Sequence, residues 1–153
     1  MASRRRRART HEDLEEGAYD PHGTGRHSCA SCRKLELKQF VGESRDIRVR
    51  QITFRCPDHD QAITRFTIQL ENLRRQLGSV VFPICRFCSW HQNHHIHYYD
   101  KLVPHKEVGL DEIDGPINDS KAMLKAHAYS YDLMYNQFEG LVRRWLSRWK
   151  KRG

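Results

Sequence analysis

A small α+β protein is predicted, made of a cysteine- and histidine-rich module followed by a long C-terminal amphipathic helix, and three observations predict it. Short pairs with two residues between their members recur at Cys29/Cys32, Cys56/His59 and Cys85/Cys88, and the last runs into His91, His94, His95 and His97. Between the first two pairs, apolar and polar residues alternate in the manner of a half-buried strand. After the second pair, and again from Asp119, apolar residues recur at intervals of three and four, the period of a helix.

All five cysteines of the 153-residue chain belong to these pairs. Thiolates and imidazoles paired through a tight turn are what a tetrahedral Zn²⁺ requires, two pairs completing one shell. An odd cysteine count argues against a secreted disulfide framework and for a reducing compartment. Hydrophobic residues make up 38% of the chain and charged residues 30%, a thin core of the kind that bound metal often supplements. Two zinc ions are expected.

Element by element, residues 1–25 read as a disordered arm carrying Arg4, Arg5, Arg6, Arg7 and Arg9. The acids after it argue against a mitochondrial presequence, and a nuclear-localisation or nucleic-acid-binding arm fits better. No apolar h-region and no membrane-length span is present, which points to nucleus or cytoplasm and away from secretion. Residues 26–100 form the expected zinc-binding module. Leu35, Leu37, Phe40 and Val41, then a Gly42-Glu43-Ser44 turn, then Ile47, Val49 and Ile52–Phe54 predict a β-hairpin. Asp58 is a suitable N-cap, and Ile63, Phe66, Leu70, Leu73 and Leu77 predict a helix from about Asp60 to Leu77, stopped by Gly78. Residues 101–118 read as an acidic linker, and residues 119–153 as an amphipathic helix with a basic tip whose stripe includes Tyr131, Met134, Phe138, Leu141, Trp145 and Trp149.

Knuckle, hairpin, then a second pair at a helix N-terminus is the order of treble-clef zinc modules, and Cys29 to Leu77 looks like one. That order assigns Cys29, Cys32, Cys56 and His59 to one closed structural ion. The second ion would take Cys85, Cys88 and two of the histidines, with His91, His94 and His97 as the spaced candidates. A cross-brace, joining Cys29/Cys32 to Cys85/Cys88 and Cys56/His59 to the histidines, is the competing arrangement, and spacing leaves both open. No catalytic residue is assigned. The nearest enzyme reading is a resemblance to His-Asn-His endonucleases, carried by Asp58-His59 between two CxxC pairs and by Asn93-His94. Cys56 and the predicted helix depart from that pattern.

Charge suggests the partner. The formal net charge is +8, and residues 26–106 hold fourteen basic and seven acidic groups, a net +7. Residues 107–142 hold two basic and seven acidic groups, a net −5, before a C-terminal tip with six basic groups. A polyanion is the expected partner, RNA more readily than DNA. Arg4–Arg7, Arg48, Arg50 and Arg86 would meet phosphates, and Trp90 would stack on an unpaired base. The C-terminal helix is a further surface for a protein partner or self-association. In size, charge and ligand pairs the chain is similar to the small basic cysteine-rich proteins of RNA viruses, a resemblance that implies RNA binding and suppression of silencing. The alternative is a zinc-finger adaptor for proteins, including a RING-like ubiquitin-ligase module.

Overall fold

The computed structural model describes residues 31–147, apart from 75–77, 79, 90–92 and 118. Six strands form one antiparallel meander in chain order: β1 (Arg33–Phe40), β2 (Ile47–Cys56), β3 (Ala62–Arg74), β4 (Val80–Cys88), β5 (Asn93–Tyr99) and β6 (Glu107–Pro116). Two helices come after the sheet, α1 (Ser120–Asn136) and α2 (Phe138–Ser147). The protein is therefore mostly sheet, and the treble-clef expectation is overturned.

The predicted hairpin is present as β1 and β2, with Gly42 at the turn in the left-handed region (φ 75°). Beyond the hairpin the chain departs from the helical expectation. A single 3-10 turn at Pro57–His59 replaces the helix start, and Asp58 does not cap it. The residues expected to continue as a helix are β3, the strand between β2 and β4. Its register explains the misleading period. Phe54 pairs with Arg65 but Arg55 pairs with Ile63, so Thr64 is an extra, bulged residue. That bulge lets Ile63 and Phe66 share one core across a three-residue gap, after which Phe66, Ile68 and Leu70 alternate as a strand should. The β-branched residues Ile63, Thr64, Thr67 and Ile68 suit an extended backbone flanked on both sides. Leu77 lies outside the described residues.

The stretch read as a linker contains β6, which pairs with β5. The long C-terminal helix is two short ones. Asp119 caps α1 by accepting a 2.7 Å hydrogen bond from the Ala122 N–H. At the other end, Asn136 and Gln137 both donate side-chain hydrogen bonds to Asp132, and Gln137 leaves helical geometry (φ −131°, ψ 23°). Phe138 then opens α2 with its ring against Gly42. Among the described residues, no helix is long and apolar enough to cross a membrane.

Strand alternation sorts the side chains. One sheet face presents Val49, Phe66, Ile68, Leu70, Cys85, Phe87, Ile96 and Tyr98, and these bury against Met123, Ala126, Met134 and Trp145 of the helices. Trp145, 4% exposed, is core: Arg74 lies over its ring at 5.4 Å. Trp149 lies outside the described residues. The opposite face, read across the ladders, carries Lys34, Glu36, Lys38, Arg48, Arg50, Phe54, Arg65, Glu71, Arg86, Cys88, His95 and His97.

Candidate metal centre

Cys88 ends β4 directly opposite His95 of β5, and His97 lies two residues further along β5 on the same face. One ligand atom from each of Cys88, His95 and His97 lies within 4.8 Å of the others. Atoms bound to one tetrahedral zinc are roughly 3.4–3.6 Å apart, so the three need close by only about an ångström to grip an ion. Cys88 and His95 are buried and His97 is half-buried.

The histidine surroundings set the tautomers. Nδ1 of His95 lies 3.2 Å from the Asn93 carbonyl oxygen, which can only accept, so Nδ1 carries the proton. Nδ1 of His97 lies 3.0 Å from Glu107 Oε2, at ion-pair distance although outside in-line hydrogen-bond geometry. Both contacts place an oxygen acceptor beside Nδ1. A carbonyl or carboxylate behind the far ring nitrogen is the usual support of a metal-binding histidine.

Burial pushes the Cys88 thiol up to about 11, although the neighbouring Arg86 charge works the other way. Arg86 itself is held above its usual range: its own burial acts against the charge, but Cys88, Tyr99 and Glu107 outweigh it. Burial pushes the Tyr99 hydroxyl up to about 12, against the Arg86 guanidinium, which lies 5.9 Å from the ring centre and favours its ionised form. Arg86 thus supplies the charge that a Cys88 thiolate needs. It was expected at a phosphate, and the fold turns it toward sulfur.

Of the nine expected ligands, Cys29 and His91 lie outside the described residues. Cys85 and Cys88 are not brought together. Three residues apart in a strand, they point to opposite faces, and Cys85 packs in the core beside Tyr98, Leu141 and Trp145. The same rule separates His94 from His97. His94 is 1% exposed, its Nε2 2.7 Å from Ser130 Oγ and its ring among Phe66, Phe87 and Tyr129. A cross-brace that uses both Cys85 and Cys88 is incompatible with this strand. His95, left unassigned in the spaced pattern, is the ligand-type residue that the strand selects. Its signal was the two-residue step to His97, the period of a strand.

At the β2–β3 turn, Cys56 Sγ lies 3.7 Å from His59 Nδ1. Cys32 precedes Arg33, which pairs with Arg55 beside Cys56, and Cys32 Sγ accepts from Thr64 Oγ1 at 3.8 Å. With a 3-10 turn here, no helix dipole acts on the Cys56 thiol.

The basic residues read as phosphate contacts are partly engaged. Arg48 binds Glu71, and Arg50 donates to Glu36 at 2.8 Å. Arg4–Arg7 and Trp90 lie outside the described residues. Compared with protein-family models, curated proteins and solved structures, the chain matches none.

Proposed function

We propose that this is a zinc-dependent nucleic-acid-binding protein without catalytic activity, in which zinc holds the β4–β5 hairpin of a basic sheet. The observation that carries the reading is the Cys88, His95 and His97 cluster, with Nδ1 of both rings turned toward an oxygen acceptor. A buried thiol with two oriented imidazoles suits Zn²⁺ better than a hard cation, and such a site contributes directly to folding. A second zinc, expected from the ligand pairs, would draw on Cys32, Cys56 and His59, of which Cys56 and His59 approach to 3.7 Å.

Support for a polyanionic partner is the net charge of +8 and the exposed Lys34 and Lys38 on the sheet face away from α1 and α2. On the same face the Phe40 ring is 48% exposed, whereas Arg65, 3.8 Å over the Phe54 ring, is buried. Single-stranded RNA is the favoured class, because exposed cations and a ring surface suit unpaired bases and, among the described residues, no helix protrudes from this face to enter a groove.

Native mass spectrometry before and after chelation, paired with anisotropy titrations of a single-stranded RNA over a salt series, tests both parts. The expected result is bound zinc and a log-log salt dependence with a steep negative slope. A zinc-free protein would remove the first part. Zinc-loaded protein with no salt-sensitive binding to RNA or DNA would remove the second and leave a protein-binding adaptor.

A further inference from the structure

Strand β1 is an edge: its only neighbour among the described strands is β2, and all eight of its residues are exposed. The ladder fixes which backbone groups are left over. Val41 N–H donates to the Ile47 carbonyl at 3.0 Å, in register with the β1–β2 pairs, so odd-numbered residues of β1 exchange hydrogen bonds with β2. The N–H and C=O groups of Lys34, Glu36, Lys38 and Phe40 therefore point away from the sheet, into the position of a further strand.

Side chains on this edge are also uncovered. Leu35 and Leu37 are 58% and 47% exposed, on the face that the helices cover elsewhere. Helix α1 reaches as far as β2, where His127 Nε2 meets Gln51 Nε2 at 3.1 Å, and Gln51 is the cross-strand partner of Leu37. The helix thus stops one strand short. Tyr131, next to His127 on the helix, is 43% exposed.

We propose that a second copy of this chain pairs antiparallel along β1, with Leu37 on the two-fold axis and Glu36 opposite the partner's Lys38, so that two sheets become one. The hydrogen-bonding pattern allows only registers in which outward-pointing residues oppose one another. Placing Glu36 on the axis sets Glu36 against itself and Lys34 against Lys38, and placing Lys38 there sets two lysines together. Placing Leu35 on the axis pairs Lys34 with Glu36 but runs Lys38 and Phe40 past the partner's strand. With Leu37 on the axis, both Glu36–Lys38 pairs form, each Lys34 lies opposite a Phe40 ring, and residues 34–40 all overlap. Lysines on an edge strand usually discourage pairing, but in this register each one meets an acid or a ring. The contact is self-complementary, as a two-fold interface must be. It also puts both α1 helices on one face, with the leucines of both copies between them.

The test uses the full zinc-loaded chain in analytical ultracentrifugation. The expected parent mass is twice the 18.2 kDa of one chain. Glu36→Lys and Lys38→Glu should each weaken the dimer at least tenfold, whereas the double exchange should restore it. Retained zinc and an unchanged circular dichroism spectrum show that the singles still fold. Leu37→Cys should give a disulfide between the introduced thiols of the two copies on mild oxidation, identified by peptide mapping, and Leu35→Cys should not. A parent that stays monomeric at about 100 µM overturns the proposal. So does a dimer indifferent to all three charge variants, or one crosslinked by Leu35→Cys in place of Leu37→Cys.

Discussion

Arg48 holds Glu71 across β2 and β3 with two nitrogens on one carboxylate oxygen, Nε at 2.9 Å and Nη2 at 2.6 Å. The Glu71 side chain is 2% exposed and also accepts from Gln69 Nε2 at 2.7 Å, so its charge depends on these donors. Arg48→Ala should cost about 3–5 kcal/mol in urea unfolding, because it strands a buried carboxylate. Replacing the pair together, Arg48→Met with Glu71→Leu, should recover most of that loss. If Arg48→Ala costs under about 1 kcal/mol, the pair is an ordinary surface bridge.

Cysteine variants separate the two faces of β4. Cys88→Ala should abolish tight metal binding at the β4–β5 site. Cys85→Ala should keep the ion and cost about 1–2 kcal/mol of packing. Glu107→Gln should weaken metal affinity by about 10–100-fold through the loss of its charge behind His97. Metal content measured after dialysis against a weak chelator reads all three, and equal losses in Cys85→Ala and Cys88→Ala would restore the CxxC pairing.

Gly42 is where the hairpin meets the helices. Its φ of 75° disfavours any side chain, and a Cβ there would lie 3.0 Å from the Phe138 ring. Gly42→Ala should cost about 1–2 kcal/mol in thermal or urea unfolding. Gly78 has the same φ but open space around it, so Gly78→Ala should cost less, through backbone strain alone. Equal costs would mean that the Phe138 contact contributes nothing.

His127 should make stability fall in mild acid. Burial lowers its pKa, with Arg55 adding to the effect, and the Gln51 amide donates to its Nε2. A histidine whose folded pKa lies below its unfolded 6.5 takes up a proton on unfolding. Its contribution is complete above about pH 6.5 and is lost as pH falls toward the folded value. Urea midpoints from pH 7.5 to 5 should drop less steeply in His127→Asn than in the parent. Parallel curves would place the acid sensitivity elsewhere.

The sequence alone determined features set by neighbouring residues. Leu35 to Phe54 spelled a hairpin because alternation and a Gly42 turn are local properties, and the apolar period from Asp119 spelled a helix because it repeats within a few turns. The concentration of thiols and imidazoles was equally plain. Tertiary structure decided whether 62–74 is strand or helix. Its spacing fits both periods once Thr64 is bulged, and pairing with β2 and β4 settles the choice. That outcome then decided the candidate metal centre. Three residues apart, two side chains converge in a knuckle but diverge in a strand, so Cys85 and His94 turn into the core while Cys88, His95 and His97 meet. A spacing names ligands only after the backbone period is known, and here strands distant in sequence impose that period.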